Sequence, residues 1–153
     1  MRLIPFSLEF YEDLVDMHYA FITEVYGDKR RINSKYFFHK EVQSWIDNRR
    51  EIVLAVSNCK VIGYSLSYIT DLSGLTEPVY KGEYVYVVKD ARKSRAAYLL
   101  YNNITQRAKD LNMNVSGGGR AINGADKMLE KHFGDGSGQE RMFSTYERKH
   151  NGH

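Results

Sequence analysis

Residues 85–104 read VYVVKDARKSRAAYLLYNNI. An apolar, β-branched run stops at Lys89, and Arg92, Lys93 and Arg95 follow at once. Ala96 and Ala97 then open a second pattern, in which Ala97, Leu100, Ile104, Ala108 and Leu111 recur at helical spacing. The order is strand, short basic turn, helix. The first turn of a helix leaves backbone N–H groups without partners, and the aligned peptide dipoles make that end positive. A phosphate placed there is held by amides alone. Ala91, Ser94, Ala96 and Ala97 are small enough to let it approach, and the three cations can add charge-assisted bonds. The turn therefore suits a polyphosphate or pyrophosphate. Local chemistry is equally compatible with a solvated basic loop. The stretch holds neither G-x-x-x-x-G-K nor G-x-G-x-x-G, so it is not a P-loop or a dinucleotide fingerprint.

The rest of the chain supplies a sheet for this turn to sit on. RLIPF (2–6) reads as an opening strand, with Pro5 arguing for an edge. Ser7 stands where it can cap the next helix. In that helix Phe10, Leu14, Met17, Phe21 and Val25 share a stripe that ends at Gly27. A second helix runs from Ser34, with Phe38, Val42, Trp45 and Ile46 on one side. The period then changes: EIVLAVSN (51–58) and KVIGYSLSYITD (60–71) form an antiparallel hairpin, with Gly63 marking a bulge. LSGLTEPVYKG (72–82) has loop composition and EYVYVV (83–88) is a third strand. After the helix of 97–111, MNVS (113–116) reads as a strand broken by glycines 117–119. A helix over 124–132, a flexible GDGSG loop (134–138), a last strand over 141–149 and a loose tail at 149–153 complete the reading. The fold class expected is α/β (α+β), a mixed, mostly antiparallel sheet flanked by helices, in a single domain over residues 1–153.

Composition narrows the function. The 153 residues are 42% hydrophobic and 27% charged, with a net charge of +3. This is ordinary for a globular chain and suits an anionic ligand without implying nucleic acid. No apolar run approaches the roughly 18 residues of a membrane span, and no signal peptide is evident at the N-terminus. A lone cysteine, Cys59, forbids an internal disulfide and points to the cytoplasm. The histidines form no metal-like cluster and no C-x-x-C occurs, so no metal is expected.

Residues 87–100, VVKDARKSRAAYLL, resemble the acetyl-coenzyme A site of the GNAT (GCN5-related N-acetyltransferase) family, whose signature is Q/R-x-x-G-x-G/A. Arg92 matches the first position and Ala97 the last, while Arg95 stands where the family has its central glycine. NGADKMLEKHFG (123–134) is similar to the family's penultimate helix, with Ala125 and Lys131 matching and Asn123 one place off. The resemblance implies that acetyl-coenzyme A lies where the fourth and fifth strands part. Backbone at Val85, Tyr86 and Val87 would pair with the pantetheine arm. Arg92, Lys93, Ser94, Arg95, Ala96 and Ala97 would hold the pyrophosphate, and Asn123 would add a contact. It further implies direct transfer of an acetyl group to a primary amine in a ternary complex. Glu83, opening the fourth strand, is the candidate base; even spacing puts it on the face of Val85 and Val87, and Glu24 and Glu77 are poorer rivals. The family's tyrosine acid is replaced by Leu129, which leaves Tyr146, Tyr98 or Tyr101 as substitutes. A catalytically degenerate, binding or structural member is the alternative. A nucleic-acid binder is disfavoured because no such motif occurs. Partners implied are a small-molecule or peptide amine, no membrane, and at most a second copy in a homodimer.

Overall fold

A computed structural model of the chain describes residues 1–71, 74–120, 136–140 and 143–148, those beyond 117 as backbone alone. Ten principal elements occur among them: β1 (Arg2–Pro5), α1 (Tyr11–Tyr26), α2 (Lys35–Asp47), β2 (Glu51–Ser57), β3 (Lys60–Thr70), β4 (Val79–Val87), α3 (Ala96–Asp110), β5 (Val115–Arg120), β6 (Gly136–Glu140) and β7 (Phe143–Arg148). The strands form one seven-stranded sheet in the order β1-β2-β3-β4-β5-β7-β6. Its pairings are antiparallel except for β4 with β5. The mixed, mostly antiparallel sheet expected from sequence is therefore present, and β1, with Pro5, lies at an edge.

The two faces of the sheet are covered by different helices. Leu14 and Val15 of α1 and Phe38, Val42 and Trp45 of α2 pack with Ile52, Leu54, Val56, Tyr64, Leu66 and Tyr86. On the other face Ala96, Leu100, Ile104 and Ala108 of α3 pack with Ala55, Ile62, Tyr80, Val87 and Val115. Each fully buried Leu, Val or Ile contributes roughly 1.5–3 kcal/mol. Two bulges reset the in–out alternation of the central strands. Ala55 pairs with Gly63 and Val56 with Val61, so Ile62 is the extra residue beside Gly63. Ser67 pairs with Gly82 and Leu66 with Tyr84, so Glu83 is the extra residue of β4. The hairpin turn uses Asn58 and Cys59, both at positive φ, as a two-residue turn of this hand requires.

Several boundaries differ from the sequence reading. The α1 stripe turns slightly: Leu14, Val15, His18 and Val25 are buried, while Met17 and Phe21 are half-buried. Ser7 donates to Glu9 Oε1 at 3.2 Å instead of capping a main-chain amide. β4 begins at Val79 rather than 83, because Val79 and Tyr80 are buried partners of β3 and α3. β5 continues through Gly117, Gly118 and Gly119, whose backbone pairs with β7. Gly136–Glu140, expected as loop, pairs with β7 as β6. The expected helix over 124–132, with Asn123 and Leu129, and the tail over 149–153 lie outside the described residues.

Candidate active site

The parallel pairing of β4 with β5 is short: Tyr80 with Val115, Lys81 with Ser116 and Gly82 with Gly117. Beyond that row β4 runs on to Val87 paired only with β3, and β5 runs on to Arg120 paired only with β7. The strands part at the Glu83 bulge. Bulges twist a strand and end local pairing, which accounts for the opening at this point. Val88 donates its N–H to Ile62 O on β3. Main-chain groups alternate sides along a strand. The N–H and C=O of Val85 and the N–H of Val87 are therefore turned to the vacated edge, while those of Tyr86 face β3. Of the three positions expected to pair with a pantetheine arm, the backbone of Val85 and Val87 is so placed and that of Tyr86 is not.

The basic turn joins this open edge to α3. Arg92, Lys93, Ser94 and Arg95 lie between a 3-10 turn at Lys89–Ala91 and the first residue of α3. The amide of Ser94 donates to Ala91 O at 3.0 Å, and that of Ala96 to Ser94 Oγ at 3.2 Å. The amides of Lys93, Arg95 and Ala97 donate to no other described residue, leaving alternate donors free at the helix start. Ala96 is fully buried and Ala97 half-buried. Arg95 has φ −84°, a conformation open to any residue. Its side chain is exposed and lies over the Tyr98 ring, 5.3 Å from the centroid. An arginine here neither needs a glycine backbone nor fills the corner.

Arg92 is committed within the protein. Its Nε donates to Val87 O at 3.1 Å, Nη2 to Glu24 Oε2 of α1, and the guanidinium lies over the Tyr86 ring. It ties the turn to α1 and to the end of β4. Glu24, a rival base in the sequence reading, is occupied by this pair, and Glu77 is exposed between β3 and β4.

Glu83 does not share a face with Val85 and Val87. Gly82 faces Ile104 of α3, and Val85 and Val87 pack with that helix. The Glu83 carboxylate instead raises the pKa of the Tyr84 and Tyr64 hydroxyls, whose shifts come first from burial, and both rings lie against α1 and α2. The bulge reverses the parity on which the sequence expectation relied. Tyr101 lies on the buried face of α3, where burial pushes its phenol up, and Tyr98 lies under Arg95. Tyr146 pairs with Gly117, in the row where the strands begin to part.

On the α1/α2 face, behind β4, lies a group that sequence reasoning left unassigned. His18 is fully buried. Its Nδ1 is 2.8 Å from Tyr64 Oη and its Nε2 is 2.7 Å from Glu41 Oε1. The visible signal was a histidine on the buried stripe of α1, four residues after Leu14. Glu41 and Tyr84 line an open cavity of about 230 Å³, with Tyr26, Arg30, Arg31 and Phe37. Trp45 stacks on Tyr64. Among the described residues no group of three or more His, Cys, Asp or Glu side chains is placed to hold a metal ion, and no helix is long and apolar enough to cross a membrane. Cys59 is free and exposed.

Solved structures share this fold. A ribosomal-protein-alanine N-acetyltransferase from Brucella melitensis matches 98% of this chain and 100% of its own, with TM-score 0.72 and 14% identity. A GNAT-family acetyltransferase from Staphylococcus aureus matches 97% and 99%, with TM-score 0.70 and 13% identity. The fold is that of the GNAT acetyltransferases. An aminoglycoside 6'-N-acetyltransferase from Acinetobacter haemolyticus shares the GNAT fold as well, over 92% of this chain and 94% of its own, with TM-score 0.68 and 19% identity. No family model and no curated protein matches the sequence.

Proposed function

We propose that the protein is an N-acetyltransferase that moves an acetyl group from acetyl-coenzyme A directly to a primary amine. One observation carries the reading: the free amides of Lys93, Arg95 and Ala97 stand at the end of a β4 edge that β5 has left open. Such an edge accepts an extended amide-bearing chain by adding strand-like hydrogen bonds, and a helix start accepts its diphosphate. The residues present fit coenzyme A in both respects. The pantetheine amides would bond the backbone of Val85 and Val87. The pyrophosphate would sit on the three amides, with the exposed Lys93 and Arg95 side chains adding charge. Arg92 would act through the turn it anchors. Asn123 remains a proposed cofactor contact.

Acetyl-coenzyme A supplies an activated acetyl group at its thioester. The chain's share is to hold it beside the amine, which alone removes a large part of the barrier. The amine must also lose a proton. Glu83, at the point where the strands part, is the proposed base, and Tyr146, opposite Gly117, the proposed acid for the departing thiolate. The acetyltransferases of like fold support this reading. We read residues 1–153 as one domain of this kind, working in the cytoplasm. Thiol release over a panel of primary amines, with calorimetric coenzyme A binding alongside, tests it. Coenzyme A that failed to bind, or to shift the amide signals of 93–97, would overturn the cofactor site. Binding without release from any amine would favour the noncatalytic alternative.

A further inference from the structure

The buried histidine has a role to account for. A polar ring removed from water costs several kcal/mol unless its nitrogens are satisfied, and His18 is enclosed by Phe21, Phe38, Trp45, Tyr64 and Tyr84. A leucine at this position on the stripe would pack without that demand. The two partners of the ring make a line running outward. Tyr64 is fully buried, and burial, followed by the charges and hydroxyls around it, holds its phenol protonated. Its O–H can donate to Nδ1, an arrangement that leaves the ring N–H on Nε2 to be donated to Glu41 Oε1. Glu41 is the wet end, with a side chain 32% exposed. One carboxylate oxygen is fixed from behind. Oε2 bonds no other described residue.

Glu41 lines a cavity beside the connection between α1 and α2. Ile22, Ile32, Phe37 and Phe38 give it apolar walls, and Tyr26 and Tyr84 give it aromatic ones. Glu41 is the one acidic side chain among its lining residues. Arg30 and Arg31 line it without pairing with Glu41, and Arg30 lies over the Tyr26 ring. At about 230 Å³ it is smaller than the roughly 300–1,000 Å³ of ordinary ligand pockets. It has room for the end of a molecule and not for a large ring system. Tyr84, its wall on the sheet side, is the next residue after the Glu83 bulge.

We propose that Glu41, aimed by the buried His18–Tyr64 pair, is the binding residue for the acceptor's ammonium group, and that the acceptor is a primary amine on a slender apolar stem. The inference rests on the acetyltransferase reading and deepens it: coenzyme A is received on the α3 side and the amine on the α1/α2 side. His18 and Tyr64 are positioning residues. Their contribution is to fix the carboxylate, so that an ammonium meets an oriented acceptor between aromatic faces that themselves attract cations.

The test is amine binding without cofactor, so it does not depend on acetyl transfer. Butylammonium is titrated into the full chain and followed by the ring-nitrogen NMR signals of His18, with butanol as the uncharged control. Charged groups that face the cavity beside Glu41 are Arg30 and Arg31; the titratable ones are His18, Tyr26, Tyr64 and Tyr84. Titration at neutral pH with fixed salt holds their contribution constant. We expect His18 to show the Nε2–H tautomer, and butylammonium but not butanol to shift its Nε2. Glu41→Gln should weaken butylammonium binding at least about tenfold, the loss of one charge-assisted bond. Tyr64→Phe should change the ring-nitrogen pattern and weaken binding less. A Tyr64 that served packing alone would lower the melting temperature and leave amine affinity unmoved. Equal binding to Glu41→Gln and the native chain overturns the proposal, as does a native chain that binds neither probe. Coenzyme A binding, measured in parallel, reports on the acetyltransferase reading separately.

Discussion

Arg92 offers a prediction whose sign separates two mechanisms. The residue occupies the position that the signature assigns to cofactor recognition, yet its guanidinium is engaged by Glu24, Tyr86 and the Val87 carbonyl. Replacing Glu24 by Gln removes the charge of the pair and keeps the shape. The side chains of Arg92 and Glu24 are 29% and 27% exposed, so the pair is mostly shielded from water. Hydrogen bonds to charged groups are worth roughly 1.5–3 kcal/mol, and exposed pairs less than about 1 kcal/mol. A mostly shielded pair should therefore cost about 2 kcal/mol to break, which lowers the melting temperature by roughly 4–8 °C in a chain of this size. Arg92→Ala also removes the bond to Val87 O and should cost at least as much, and the double variant should fall short of the sum because the two substitutions share the Arg92–Glu24 contact. Calorimetric melting and coenzyme A titration of the three variants decide the matter. If Arg92 is a latch, Glu24→Gln loosens the turn and weakens coenzyme A binding. If it is a phosphate ligand held back by Glu24, the same substitution releases it and binding tightens. Tighter binding, or an unchanged melting temperature, would refute the latch.

Other perturbations act on separate parts of the molecule. A Cβ at Gly63 would lie 2.6 Å from the Tyr86 carbonyl oxygen, whereas one at Gly82 would lie 3.1 Å from the end of the Ile104 side chain. Backbone cannot yield as a side-chain tip can, so Gly63→Ala should cost more than Gly82→Ala, with overpacking of about 1–3 kcal/mol at the first, read from urea midpoints. Arg95→Gly should bring no gain in coenzyme A affinity, because the backbone there is already unstrained. Removing the exposed charge should instead weaken binding by up to about fivefold, an effect that shrinks with added salt in a titration series. Burial raises the phenol pKa of Tyr64, Tyr80, Tyr84 and Tyr101 in the folded chain. Above about pH 10 the unfolded chain ionises these groups while the folded chain does not, so stability present below that pH is lost as pH rises further. The urea midpoint should fall steadily above about pH 10, together with the appearance of tyrosinate absorbance on unfolding.

Local patterning made some elements legible. α1, α2 and α3 each bury one face, and that face writes its period into the sequence; the 51–70 hairpin is buried on both faces and shows as β-branched runs around a short turn. The elements that were misread lack side chains to write with. Gly117, Gly118 and Gly119 continue β5, and the glycine- and serine-rich Gly136–Glu140 forms β6. What makes them strands is backbone pairing to β7, a long-range property with no local trace. Lys81 and Gly82 interrupt the apolar run of β4, which hid its start, although Val79 and Tyr80 before them are buried. At the site, the basic turn was readable because it is contiguous. The Arg92–Glu24 pair spans 68 positions and His18–Tyr64 spans 46, distances at which one sequence carries no record of contact.

Glu83 shows how one residue ties these scales together. A strict strand alternates faces, so every second residue of β4 would look toward α3 from Tyr80 to the end. With Tyr80 and Gly82 facing α3, Tyr84 and Tyr86 would face it too, and their rings could not enter the aromatic layer around His18. The bulge adds one residue, after which Val85 and Val87 take the α3 side and Tyr84 and Tyr86 the other. The same insertion lies where β4 and β5 cease to pair. One irregularity thus opens the sheet and gives the open segment two different surfaces: apolar side chains toward α3, and hydroxylated rings, Tyr84 beside Glu41 and Tyr86 under Arg92, on the other face. Without the inserted residue, say in a chain from which Glu83 is deleted, Tyr84 and Tyr86 would be driven under α3 and the His18 layer would lose two of its walls. Such a chain should lose both coenzyme A and butylammonium binding. Substituting Glu83 in place, which keeps the residue count, should spare both.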